Sequence, residues 1–266
     1  MFAMKLGFIG SGNMGGAILG GVVKSKLYSC EDIIVSEPNE KTREKLSREM
    51  RVNTTYNNKS AAKADMVFLC VKPNVIYDVI EEIKSAVQPN TVLVSIAAGQ
   101  SIEKLENAFE KPVKLVRVMP NTPALVGEGM AALSPNENVT DQEIKKAADI
   151  FNACGKAEII PEKLMDAVTA VSGSSPAYVF MFIEAMADAA VQGGMPRAQA
   201  YTFAAQSVLG SAKMVLETGL HPAVLKDQVC SPAGTTIDAV AVLEKNGMRS
   251  AVIEAMKACI DKSKSL

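Results

Sequence analysis

The chain has 266 residues, 48% of them hydrophobic, with 28 Lys+Arg set against 29 Asp+Glu. That is enough for one large or two ordinary domains with a buried core, and near-neutral charge without a Lys/Arg cluster excludes a nucleic-acid surface. The five cysteines Cys30, Cys70, Cys154, Cys230 and Cys259 are scattered and form no C-x-x-C pair, which argues against a disulfide framework or zinc site and fits a reducing, cytoplasmic setting.

Met1-Phe2-Ala3-Met4 run straight into the first apolar stretch, so no signal peptide is expected, and Met4 offers a second start. No apolar run reaches membrane length free of Asp, Glu or Lys, so no membrane span is expected. The first strand, Leu6–Ile9, stops at Gly10-Ser11-Gly12-Asn13-Met14-Gly15, and a small-residue helical stretch follows to Gly21. Strand, glycine turn and helix are the setting in which G-x-G-x-x-G has a mechanism. Gly10 turns tightly, Gly12 lets a pyrophosphate approach the backbone, and Gly15 lets the helix pack close on its strand. The helix from about Asn13 presents unpaired N–H groups and a positive dipole end to phosphates.

Asp32–Ser36 reads as the second strand, closing at Glu37-Pro38-Asn39 before a helix over Glu40–Met50. Glu37 lies about twenty positions beyond the glycines, where a ribose-binding carboxylate belongs. It would accept hydrogen bonds from the 2′- and 3′-hydroxyls and repel a 2′-phosphate, favouring NADH. Lys41 and Arg43 just downstream could instead draw such a phosphate in, and a solvated Glu at a strand end is the plainer alternative. A third strand (Val52–Thr55), a turn at Asn57-Asn58 and a small helix (Ser60–Ala64) follow. The fourth strand, Met66–Val71, is apolar throughout, as burial on both faces requires; it ends at Lys72-Pro73 and leads into a helix over Val75–Val87. The fifth, Thr91–Ile96, ends in Ala97-Ala98-Gly99, small residues that leave room above the sheet for a flat cofactor. The sixth, Lys114–Met119, runs into Pro120-Asn121-Thr122-Pro123, and Ile159-Ile160 reads as an added edge strand. This alternation predicts an α/β fold whose N-terminal part is a Rossmann-like, doubly wound, mainly parallel sheet.

From about Glu162 the β-type runs vanish and helical periodicity continues to the end. The boundary separates a dinucleotide-binding domain, residues 1–161, from an all-α domain, residues 162–266. Pro176 reads as opening a long helix to Gln192, stopped by Gly193-Gly194, and Pro196 as opening the next to Thr218, stopped by Gly219. Three more helices are predicted near Pro222–Val229, Thr235–Lys245 and Arg249–Lys264. Ala177–Ala190 is small or apolar on nearly every side, Glu184 and Asp188 excepted, and such a helix needs burial all round. The expectation is helix–helix dimerisation through this domain; a crowded monomer core is the alternative.

A bound nicotinamide implies hydride transfer. The only histidine, His221, precedes Pro222 at a helix start and reads as a turn residue. No His/Cys/Asp/Glu cluster shows metal-ligand spacing, so no metal is expected. A carbonyl reduced to an alkoxide wants a strong nearby acid, whereas a protonated C=N carries its own charge and yields a neutral amine, so a weak donor suffices. Two polar segments suit such a substrate: Ser172-Gly173-Ser174-Ser175-Pro176-Ala177-Tyr178, and Lys226–Thr236. Each sets hydroxyls and backbone N–H groups at a helix N-terminus, the natural seat of a carboxylate; ordinary Ser/Thr capping is the competing reading.

Read together, GFIGSGNMG, VKP, SIAAG, RVMPNTPALV, SGSSPAYVF and LKDQVCSPAGTT resemble Δ1-pyrroline-5-carboxylate reductase over essentially the whole chain. The last two motifs are specific to that family. The resemblance implies NAD(P)H-dependent reduction of the cyclic imine 1-pyrroline-5-carboxylate to L-proline, the closing step of proline synthesis, with NADPH or NADH as cofactor. It implies that Ile9, Gly10, Ser11, Gly12, Asn13 and Met14 cradle the pyrophosphate, and that Glu37, Asn39 and Asn58 surround the adenosine ribose. Cys70, Val71, Lys72 and Pro73 with Ile96, Ala97 and Ala98 would line the nicotinamide side, and Asn121 would lie near the carboxamide. Gly234, Thr235 and Thr236 would hold the substrate, with Thr236 as the catalytic hydroxyl nearest the ring nitrogen and Gln228, Glu162 and Ser174 as further substrate contacts. Similar enzymes are homodimers with interlocked helical domains, some assembled into decamers of dimers.

The chain departs from that family at two positions. Ala233 replaces the first glycine of the usual SPGGTT, which strains the loop if φ is positive there. Glu37 stands where relatives often carry a small hydroxyl residue. Two rival readings are a β-hydroxyacid-type dehydrogenase, which shares the opening motif but needs a catalytic lysine where only Lys213 lies within the two long helices, and a non-catalytic NAD(P) sensor.

Overall fold

The computed structural model describes residues 5–265; Met1–Met4, including the second start at Met4, and Leu266 lie outside the described residues. The chain forms two compact units, Met1–Ser174 with Ile260–Leu266, and Ser175–Cys259.

In the first unit, strands β1 (Leu6–Ile9), β2 (Ile33–Ser36), β3 (Asn53–Thr55), β4 (Met66–Leu69), β5 (Val92–Ser95) and β6 (Lys114–Met119) alternate with helices α1 (Asn13–Ser25), α2 (Glu40–Met50), α3 (Asn58–Ala61), α4 (Ile76–Ile83) and α5 (Ile102–Phe109). Strand β7 (Gly129–Pro135), helix α6 (Asp141–Asn152) and strand β8 (Gly155–Ile159) complete one eight-stranded sheet in the order β3-β2-β1-β4-β5-β6-β7-β8. The first six strands run parallel, and β7 and β8 run against them.

The two-residue period of the strands divides the core between the sheet's faces. Phe8, Met66 and Phe68 meet Ile18, Leu19, Ile150 and Phe151 of α1 and α6 on one face. Ile9, Val67 and Leu69 meet Ile76, Ile80 and Leu105 of α4 and α5 on the other. Register places Phe8 beside Phe68, and their rings stack with centroids 4.7 Å apart. The strand order reverses beside β1, between β2 and β4, and in open α/β sheets the crevice beyond the carboxyl ends at such a point is where ligands bind.

Several boundaries differ from the sequence reading. The ladders of β4 and β5 end at Leu69 and Ser95, beyond which, among the described residues, only the Cys70 N–H to Ile9 and the Ile96 N–H to Leu69 carry the pairing on. Helix α3 starts at Asn58, not Ser60, because Asn57 caps it by accepting from the Lys59 N–H at 2.9 Å. A tight turn over Pro73–Val75 delays α4 to Ile76, and it ends at Ile83, short of Val87. The edge strand is Gly155–Ile159 instead of the Ile159-Ile160 pair alone.

Next come α7 (Met165–Val168), a π-helical turn over Thr169–Ser174, α8 (Ser175–Gln192), α9 (Arg197–Thr218), α10 (Pro222–Val229), α11 (Thr235–Lys245) and α12 (Met248–Lys264). Pro176 does not open its helix, since the backbone is already helical from Met165. Lacking an N–H, Pro176 leaves the Ser172 carbonyl without its usual donor four residues on, and Asn121 Nδ2 donates to that carbonyl instead, at 3.0 Å. Gly219 closes α9 in the left-handed region, φ 64°. Only Ala187, Ala200 and Ala204 are buried apolar residues among the described residues of the second unit. Among the described residues, no helix is long and apolar enough to cross a membrane.

Candidate active site

At the end of β1 the three motif glycines have separable reasons to be glycine. Gly10 has φ +90°, and a Cβ there would lie 2.7 Å from the Cys70 carbonyl oxygen. A Cβ on Gly15 would lie 2.8 Å from Cys70 Cβ, so the helix could not keep its distance from β4. Gly12 is different: a Cβ there would meet nothing within 4 Å. No atom of the chain's own requires Gly12 to be bare, so its open face fits a group from outside, as a pyrophosphate pressed to the backbone would be. Gly12 is also the N-cap of α1 and makes no side-chain cap, which leaves the first N–H groups beyond it, at Asn13 and Met14, without one. The residues present therefore fit a dinucleotide.

The glycine turn is tied to the end of β2. Glu37 Oε2 accepts from Ser11 Oγ at 2.6 Å and from the Ser11 N–H at 3.2 Å, while Oε1 accepts from the Asn39 N–H at 3.1 Å. Asn39 caps α2 by accepting from the Thr42 N–H. Asn58 accepts from Ser36 Oγ at 2.7 Å and donates to Glu82 Oε2 at 2.7 Å, so both ends of its amide are engaged. Arg43 Nη1 donates to the Glu37 and Pro38 carbonyls, each at 2.8 Å, and thereby stiffens the turn between β2 and α2.

Beyond β4, Cys70 continues the pairing by donating its N–H to the Ile9 carbonyl at 2.8 Å, and burial pushes its thiol pKa up to about 12. A thiol held protonated in that way is a packing group, not a nucleophile. Val71 is half-buried, while Lys72 and Pro73 are exposed; after β5, Ile96 is half-buried, Ala97 buried and Ala98 exposed. Asn121 is buried at the end of β6, and its Oδ1 accepts from the Met130 N–H at 2.8 Å, so its side chain joins β7 to the π-helical turn.

The first unit also contains a pair the sequence reading did not name. Arg117 Nη1 donates to Glu162 Oε1 at 2.9 Å, and the same oxygen accepts from the Ile102 N–H at 2.8 Å, pinning the start of α5. The available signal was an arginine between the apolar Val116 and Val118 of β6, which a half-buried partner must balance. Ser174 ends the π-helical turn and is half-buried. The expected helix start with free N–H groups at Ser172–Ser175 is absent, because those residues already continue a helical path.

The Thr235-Thr236 loop of the second unit keeps its expected form. Gly234 is the N-cap of α11 with no side-chain cap, and a Cβ there would lie 2.3 Å from Ser231 Oγ. Ala233 has φ 55°, the left-handed region that a methyl group disfavours. Thr235 is exposed and Thr236 half-buried, and neither hydroxyl is engaged by another described residue. Gln228 is exposed near the end of α10. His221 accepts from the Ala223 N–H through Nδ1 at 3.2 Å, so it caps α10. Among the described residues, no group of three His, Cys, Asp or Glu could hold a metal ion.

A family profile described as pyrroline-5-carboxylate reductase dimerisation matches residues 162–266, and one described as NADP oxidoreductase, coenzyme F420-dependent, matches residues 5–99. The pyrroline-5-carboxylate reductase of Escherichia coli K12 is 52% identical over 263 residues, covering 98% of each chain. The crystal structure of the Plasmodium falciparum pyrroline carboxylate reductase with NADP bound aligns with a TM-score of 0.88 and 37% identity, covering 98% of this chain and 97% of that one. The Coxiella burnetii pyrroline-5-carboxylate reductase aligns with a TM-score of 0.94 and 34% identity, covering 99% and 98%. With likeness of this extent across both units, the chain belongs to the pyrroline-5-carboxylate reductase family.

Proposed function

We propose that the chain reduces 1-pyrroline-5-carboxylate to L-proline with NADPH or NADH, the closing step of proline synthesis. One observation carries the reading. Helices α1 and α11 each begin at a glycine N-cap with no side-chain cap, one behind the glycine turn and one at Thr235-Thr236, while the only histidine is engaged as a cap. This is a chain equipped to bind anions twice and not to supply a strong acid.

Residues 1–161 hold the cofactor. Ile9 to Met14 take the pyrophosphate, and Glu37, Asn39 and Asn58 stand at the adenosine ribose. Cys70 to Pro73 and Ile96 to Ala98 line the nicotinamide side, and Asn121 steadies that edge. When bound, the cofactor supplies a hydride to the carbon of the C=N bond. Residues 162–266 hold the substrate. The N–H groups at the start of α11 bind its carboxylate, and Gly234 allows that close approach. Thr236 Oγ1 accepts a hydrogen bond from the protonated ring nitrogen, whose charge is lost as the amine forms, so a hydroxyl suffices where a carbonyl substrate would need an acid. Thr235, Gln228, Glu162 and Ser174 are the further substrate contacts.

The working molecule is a cytoplasmic homodimer built through residues 162–266, with decamers of dimers as the larger assembly. Exposed Phe180, Met181, Phe203 and Leu216 support the pairing, as does an apolar groove of about 500 Å³ lined by Val240, Leu243, Val252 and Ile253. Lys213, the lysine a β-hydroxyacid dehydrogenase would need, is exposed and paired with Glu217 at 3.5 Å.

The purified protein should oxidise NAD(P)H when given 1-pyrroline-5-carboxylate and leave 3-hydroxyisobutyrate untouched with NAD(P)⁺. Thr236→Ala should lose on the order of a hundredfold in kcat, and His221→Ala far less. Cofactor binding without turnover would leave the sensor reading in its place, and equal losses in the two variants would remove Thr236 from the chemistry.

A further inference from the structure

Within that reading, we infer that Ser11 and Glu37 form a latch at the adenosine ribose that makes this chain select NADH over NADPH. The two residues lie 26 positions apart, yet Ser11 gives both its Oγ–H and its N–H to one carboxylate oxygen, Oε2. Among the described residues the other oxygen, Oε1, accepts only the Asn39 N–H, at 3.1 Å. Glu37 is therefore held from both sides by main-chain or hydroxyl donors and makes no ion pair among the described residues. Its negative charge has no ion-pair partner among the described residues and is tied through Ser11 to the glycine turn.

The two forms of the cofactor meet that charge differently. A ribose diol brings hydroxyl donors, and Oε1, with only the Asn39 N–H on it among the described residues, retains lone-pair capacity for one of them. A 2′-phosphate brings about two negative charges and only acceptors at neutral pH. It would need a cation within reach, and the cation best placed by sequence, Arg43, has Nη1 fastened to the Glu37 and Pro38 carbonyls at 2.8 Å. Those bonds hold the guanidinium at the turn with only Nε and Nη2 left to offer a phosphate, and Glu37 would still lie beside the anion. Lys41 lies exposed on the first turn of α2 and makes no ion pair among the described residues; a solvated lysine screens weakly. Ser11 is a positioning residue here: its hydroxyl aims the carboxylate, and its backbone belongs to the turn that receives the pyrophosphate.

The test is equilibrium binding without substrate, following nicotinamide fluorescence as the protein is titrated with NADH or NADPH. Wild type should bind NADH at least about tenfold more tightly than NADPH, the scale of one like-charge contact near a surface. Glu37→Ser should bring the ratio to unity or reverse it, mainly by tightening NADPH. Ser11→Ala should weaken NADH about threefold without improving NADPH, since the charge remains. Wild type that binds NADPH as tightly as NADH, or that binds neither, overturns the latch, as does an unchanged ratio in Glu37→Ser. Turnover with 1-pyrroline-5-carboxylate is read alongside with both cofactors. Selective binding without turnover removes the reductase reading and keeps the latch, and turnover with no cofactor preference does the reverse.

Discussion

The first unit buries Phe8, Phe68, Phe109 and a run of Leu, Ile and Met against both faces of its sheet, whereas the second, among its described residues, buries three alanines. The second unit is no less apolar in sequence: Phe180 stands 64% exposed and Phe203 66% exposed on long helices. The difference lies in where each region finds its partner surface. Helices over a parallel sheet satisfy one another within a single chain, but α8 is apolar over most of its circumference and α9 exposes Phe203, Leu209 and Leu216, with too few neighbours of their own to cover them. The first unit's stability is therefore a property of the chain, and the second's a property of chain concentration.

That contrast can be broken from either side. Phe68→Ala removes half of the stacked Phe8–Phe68 pair and should cost about 3–5 kcal/mol in urea unfolding while leaving the association constant unchanged; a change in assembly would show that the units are not energetically distinct. Phe203→Glu, by contrast, sits at an exposed position where an ordinary surface change costs under about 0.5 kcal/mol. Here it should weaken association by about 2 kcal/mol or more, giving monomer in light scattering at micromolar concentration. A fully assembled variant would mean that this face is not covered.

Two smaller effects sharpen the comparison. In the first unit, Glu143 closes the capping box of α6 with Thr140 and pairs with Lys114 at 2.6 Å. Burial raises its pKa, but the Lys114 and Thr140 hydrogen bonds outweigh burial and leave the carboxyl below its ordinary 4.5. Because the folded-state value is lowered, the stabilisation is present above 4.5 and lost as pH falls through the folded-state pKa. Glu143→Gln should flatten the acid limb of the stability–pH curve by up to about 1 kcal/mol, and an unaltered limb would count against the pair. In the second unit, Ala233 at φ 55° should gain from Ala233→Gly, the relief of about 1–2 kcal/mol being largely offset by greater unfolded-state freedom. A small rise in Tm with a lower KM for the imine is expected, and a fall in Tm would show that the loop tolerates alanine without strain.

Much of the sheet could be read in advance because β1, β2, β4, β5 and β6 are short apolar runs closed by Gly, Pro or Glu. Strand β7 was missed for a physical reason: Gly-Met-Ala-Ala-Leu-Ser-Pro holds no β-branched residue, and its pairing with β6 is set by long-range register. The start of α8 was misplaced because proline favours a helix's first turn, yet a π-helical turn with Asn121 as outside donor lets Pro176 sit within one. The site was half legible. Glycine spacing is a local signal and located the dinucleotide turn, but the Ser11–Glu37 and Arg117–Glu162 contacts join residues 26 and 45 positions apart, and only the folded sheet brings them together.

The tail of α12 bears on how the molecule is made. Residues 260–265 pack with the first unit, where Ser263 Oγ donates to Asp166 Oδ1 at 2.7 Å. On the ribosome, domains ordinarily finish in the order they emerge. Here a stretch that packs on the earlier unit is translated after the whole of the later one, so the Ser263–Asp166 contact forms only once the final turns of α12 have left the exit tunnel.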